Sequence, residues 1–132
     1  MIETVETVCR DVGAFEFELG GLGGFPNLKK PRVLFYRVVR GADELVSLSR
    51  AIDSSLETDL SIPREKKPFR AHATVARIKR PIDRDLAARL ENAPPVQCPP
   101  QRVCQVSLMR SELRREGAVY QLVKGIALAE VK

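Results

Sequence analysis

Histidine is almost missing from this chain of 132 residues: His72 is the single one. Cysteine is sparse as well, with Cys9, Cys98 and Cys104. An odd number of thiols, without a basic and then apolar leader at the N-terminus, argues for reduced cysteines. Their spacing matches no zinc-site pattern, and one histidine adds little to such a site. A metal is therefore not expected, nor a cofactor. No apolar run approaches the roughly twenty residues that cross a bilayer. The opening segment Met1-Ile-Glu-Thr-Val-Glu6 carries acids where a signal peptide needs bases. The sequence reads as that of a cytoplasmic protein with no membrane partner. Internal repeats and low-complexity tracts are missing too.

What is present is a folding composition. Apolar residues make up 44% of the chain, enough for a packed core in one domain. The net charge of +5 favours an anionic partner without naming it.

Periodicity gives a coarse order of elements. Residues 2–11 read as the end of a helix. Phe15, Phe17 and Leu19 alternate with Glu16 and Glu18, as in a half-buried strand. Gly20 to Asn27 holds four glycines and a proline and reads as a loop. Arg32 to Val39 is a β-branched and aromatic strand. Asp43 and Glu44 open a helix whose apolar face is Leu45, Leu48, Ile52 and Leu56. A polar connection over residues 61–67 leads to a strand over Phe69 to Ile78. Asp83 caps a short helix carrying Leu86 and Leu90. Four prolines make Asn92 to Pro100 irregular. Arg102 to Ser111 is a strand with Cys104, Val106 and Leu108 on its inner face, which makes Cys104 a small core residue. Glu112 to Gly117 turns the chain, and Val119 to Leu128 returns as a hairpin partner. This mixture is an α+β fold with antiparallel or mixed sheets and helices on the outer face.

The chemistry lies in Phe69-Arg-Ala-His-Ala-Thr-Val-Ala-Arg-Ile78. Residues two apart on a strand share a face, so His72 and Thr74 point together, with Arg70 on the same side. An imidazole moves protons near neutral pH, and a hydroxyl beside it can donate to a phosphoryl oxygen. Arginine charge around them suits a phosphodiester. Strict alternation puts Arg77 on the opposite face. It reaches the site only if the strand bends near Ala76.

This segment resembles the second His-x-Thr-x motif of the two-histidine phosphoesterases of the RNA 2′,3′-cyclic phosphodiesterase, or 2′-5′ RNA ligase, type. Leu22-Gly-Gly-Phe-Pro-Asn27 with Pro31-Arg-Val-Leu-Phe35, then Val106-Ser-Leu-Met-Arg-Ser111, then Tyr120-Gln-Leu122 resemble family segments in the family's order. The resemblance runs from about Phe15 to Leu128. It implies one and a fraction of two pseudo-symmetric lobes, in a single domain over 1–132 that is incomplete at its N-terminus. It also implies metal-free opening of RNA 2′,3′-cyclic phosphates to 2′-phosphates. By position, His72 would be the general base, Thr74 a phosphate donor, and Arg77 with Arg70 phosphate ligands. The family's first histidine motif has no counterpart here. The second catalytic histidine is then expected from a missing N-terminal half or from another copy in a homo-oligomer. The alternative is a non-catalytic fragment that binds RNA ends or nucleotides.

Overall fold

The computed structural model describes residues 1–130. Its elements in chain order are α1 (Ile2–Arg10), β1 (Phe15–Phe25), β2 (Val33–Arg40), α2 (Ala42–Leu60), β3 (His72–Arg77), α3 (Arg84–Glu91), β4 (Gln101–Val103), β5 (Gln105–Arg114) and β6 (Gly117–Ala127). The α+β class expected from the sequence holds, and the paired strands within each unit run antiparallel. Among the described residues no helix is long and apolar enough to cross a membrane. The described residues form two compact units: residues 1–15, 47–69 and 102–130, and residues 16–46 and 70–101.

The first unit holds α1, most of α2 and the β5–β6 hairpin. Val5 and Cys9, one helical turn apart on α1, are buried with Leu48, Ile126 and Leu128. Ile52 and Leu56 of α2 pack against them, as their helical spacing predicts. The helical reading of residues 2–11 holds as α1, Ile2–Arg10 with Asp11 as its C-cap, and the helix is amphipathic. The chain after β6 is tied back by Ala129 N–H donating to the Val12 carbonyl and Ala14 N–H to the Ala129 carbonyl, both at 2.9 Å.

Cys104 does not sit in this core. It is exposed, and it separates β4 from β5, so the alternation restarts after it. Val103, Val106 and Leu108 are the half-buried positions instead. The turn expected over 112–117 shrinks to Arg115-Glu116, because Arg114 already pairs with Gly117 at φ +129°.

The second unit is built on strands hydrogen-bonded in the order β3, β2, β1. The glycine run expected as a loop is instead the second half of β1, with Gly23, Gly24 and Phe25 paired to Phe35, Leu34 and Val33. Glycine costs conformational entropy in a strand, but here the missing side chain is needed. A β-carbon on Gly23 would lie 2.6 Å from Cζ of Phe35. β3 is shorter than expected because its pairing with β2 ends at Arg37 opposite His72. Asp83 caps α3 as expected, its carboxylate accepting from Leu86 N–H at 2.8 Å.

Candidate active site

The register of β2 against β3 organises the site. Arg37 faces His72, Tyr36 faces Ala73 and Phe35 faces Thr74; then Leu34 faces Ala76 and Val33 faces Arg77. One step on β2 therefore matches two on β3, and Val75 is the extra residue of a β-bulge. Directly opposed residues of an antiparallel pair lie on the same face. Val33, Phe35 and Arg37 share a face of β2 by alternation, so Arg77, Thr74 and His72 share that face of β3. Exposure repeats the shift. His72, Thr74, Val75 and Arg77 are exposed, whereas Ala73 and Ala76 are half-buried. The bulge resolves the conflict over Arg77: simple alternation misplaces it, and one unpaired residue restores it to the histidine face.

His72 is held from two sides. Its Nδ1 lies 2.6 Å from the carbonyl oxygen of Arg70. A carbonyl only accepts, so in the neutral ring Nδ1 carries the proton and Nε2 keeps its lone pair. The imidazole also meets Phe25 and Phe35 edge-on, with ring centroids 5.5 and 5.4 Å away. The two phenyl rings stack on each other at 4.4 Å. Phe35 is 5% exposed and forms the floor under the histidine. Gly23, opposite Phe35 on β1, leaves room for that ring.

Two guanidiniums complete the surface. Arg70 Cζ lies 5.8 Å from the Phe25 ring centroid, and Arg37 Cζ lies 5.7 Å from that of Phe35. Such cation–π placement orients a guanidinium while its N–H groups stay available. Among the described residues, Arg37, Arg70 and Arg77 make no ion pair with a carboxylate. An anion would therefore meet cations with no internal competitor.

All four residues picked out in the sequence lie at this site: His72, Thr74 and Arg77 by register, and Arg70 by its contacts with His72 and Phe25. Phe25, Phe35, Arg37 and Gly23 escaped sequence reasoning as site residues. Their signal exists only across strands: Arg37 and Phe35 are two apart, but pairing decides what they face. The site thus presents a lone-pair nitrogen, a hydroxyl and cations on one rigid sheet face. That inventory can take a proton and bind a phosphoryl group.

Residues 1–113 match the 2′-5′ RNA ligase superfamily. Among curated proteins, the chain is 34% identical to an RNA 2′,3′-cyclic phosphodiesterase of Aeropyrum pernix, over 96% of this chain and 77% of that one. It is 29% identical to a protein of the same name from Aquifex aeolicus, covering 94% of this chain and 66% of that relative's length. Among solved structures, a protein of Thermus thermophilus superposes with a TM-score of 0.76 at 30% identity, over 98% of this chain and 68% of that one. This chain is therefore a member of the 2′-5′ RNA ligase superfamily.

Proposed function

We propose that this chain carries one acid/base half of an RNA 2′,3′-cyclic phosphodiesterase. The observation that supports it best is the row His72, Thr74, Arg77 on one sheet face, with Nε2 of His72 left as the lone-pair nitrogen. In this reading Nε2 takes a proton from water as the water oxygen bonds to the cyclic phosphorus. The P–O3′ bond breaks, and the 3′ oxygen receives a proton from a second group. The product ends in a 2′-phosphate. Thr74 donates to a phosphoryl oxygen, and Arg77 with Arg70 balances the phosphate charge.

One imidazole cannot be base and acid in the same transition state, so the second group comes from elsewhere. With a single histidine in the chain, that group belongs to a preceding segment or to a second copy. The single histidine also favours a second reading, in which the chain binds RNA ends without cleaving them.

The test is incubation with a nucleoside 2′,3′-cyclic phosphate and separation of the 2′-phosphate product. His72→Ala should cut turnover by about 10²- to 10⁴-fold. Turnover untouched by His72→Ala would remove His72 from the mechanism. No turnover by the chain alone at any concentration, with binding that weakens in Arg77→Ala, rules out a second copy as the source of the second group; no turnover with binding untouched in both His72→Ala and Arg77→Ala counts against both readings.

A further inference from the structure

The second unit contains a cavity of about 1000 Å³ that does not include His72. Its walls are the loop between β1 and β2, the segment after β3, and α3. Six cations line it: Lys29, Lys30, Arg32, Lys79, Arg80 and Arg84. Two acids do so, Asp83 and Glu91, and the Asp83 carboxylate already accepts from the α3 backbone. Among the described residues none of the six cations pairs with a carboxylate. The charge is also concentrated by unit. Residues 16–46 and 70–101 hold eleven Lys and Arg against seven Asp and Glu, so +4 of the chain's +5 lies in this unit.

The walls are built, not frayed. Asn27 Oδ1 accepts from the backbone N–H groups of Lys29 and Lys30, at 3.0 and 2.9 Å. Ile78 N–H donates to the Arg32 carbonyl at 2.8 Å, which ties the two loop walls together. Ile78 and Ile82 give the cavity an apolar part, which a base or ribose face can cover. The cavity begins at Ile78, one residue beyond Arg77. At about 3.3 Å per strand residue that is roughly 20 Å along β3 from His72.

We infer that this cavity binds the phosphodiester backbone of an RNA strand, several nucleotides upstream of the end that reaches His72. The inference rests on the proposed function in taking RNA as the ligand. Unpaired cations set around an apolar lining are what a single strand needs: charge for phosphates and area for bases or sugars. A mononucleotide at His72 is too short to reach the cavity, whereas a decaribonucleotide spans the distance.

The test compares two ligands on the full chain. One is a nucleoside 2′-phosphate, followed by calorimetry. The other is a 5′-fluorescein decaribonucleotide ending in a 2′-phosphate, followed by anisotropy over a salt series. The Lys79→Ala/Arg80→Ala variant should bind the strand about tenfold more weakly. Its salt slope should become shallower by about 0.7 for each phosphate left without its cation. The mononucleotide should bind it as it binds the wild type, and Arg115→Ala at the hairpin tip should change neither ligand. Strand binding unaltered in the double variant, and in Lys79→Glu, overturns the inference. So does an equal loss for both ligands. If instead the double variant weakens the strand while a plain 3′-hydroxyl end binds as well as the 2′-phosphate, and His72→Ala changes nothing, the cavity stands and the reading of His72 falls.

Discussion

At the scale of single residues, two side chains decide what surrounds them by size and protonation. Gly23 gives Phe35 its place under His72. A methyl group there would lie 2.6 and 2.7 Å from two Phe35 ring carbons and 3.2 Å from Arg37 Cζ. The ring is buried and stacked on Phe25, so it cannot swing away freely. Gly23→Ala should therefore cost about 1–3 kcal/mol by overpacking and move the His72 ring. Urea unfolding measures the first effect and His72 ring NMR shifts the second. A fully stable variant with unmoved shifts would show that Phe35 has slack. Cys9 acts through its proton. Burial pushes its thiol above the ordinary value of 9.0. Above that value the unfolded chain loses the proton while the folded chain keeps it. Stability then falls as pH rises, because the native state binds more protons. The stability gap between wild type and Cys9→Ala should narrow above pH 9.0, as read from urea midpoints taken at stepwise pH. A gap independent of pH would mean that Cys9 ionises as readily in the folded chain.

At the scale of elements, legibility followed the physics of each pattern. α2 and α3 were readable because helical spacing and the Asp83 cap are local signals. The His72–Thr74 pair was readable because two-residue alternation needs only one strand. The second half of β1 was not readable. Its glycines look like a loop until Phe35 on the neighbouring strand supplies the reason for them. Arg77 could not be placed by alternation because a bulge depends on a partner's register, not on local sequence. Cys104 misled for a similar reason: a one-residue break between β4 and β5 resets which side chains face inward. The bulge makes its own prediction. Val75 is unpaired and 55% exposed. Deleting it leaves His-Ala-Thr-Ala-Arg, in which plain alternation keeps His72, Thr74 and Arg77 on one face. The deletion should hold nucleoside 2′-phosphate binding within a few-fold, whereas Arg77→Ala should lose about tenfold. Titration calorimetry of both variants checks this. A deletion as damaging as Arg77→Ala would mean that the bulge sets reach as well as parity.

At the scale of the whole molecule, the two units carry different surfaces. The second unit concentrates the positive charge, the aromatic floor and the histidine. The first unit exposes carbon. In the β5–β6 hairpin, Met109 faces Leu122, Ser111 faces Tyr120 and Leu113 faces Ala118. These positions share one face of the ribbon, while Arg110, Glu112 and Arg114 lie on the other. On the apolar face Leu113 is 88% exposed, Tyr120 65% and Leu122 56%. A two-stranded ribbon with one uncovered apolar face is marginal in water and invites association. Studied by itself, the chain should self-associate through this face, with sedimentation coefficients that rise with concentration. Leu113→Lys/Leu122→Lys puts two charges on the face without touching the Val5–Cys9 core, so it should shift the population toward monomer. That variant should also leave nucleoside 2′-phosphate binding unchanged, because neither residue lies in the unit that holds His72. A wild-type chain that stays monomeric at every concentration and unfolds only at high temperature would show that the hairpin is stable with its apolar face in water.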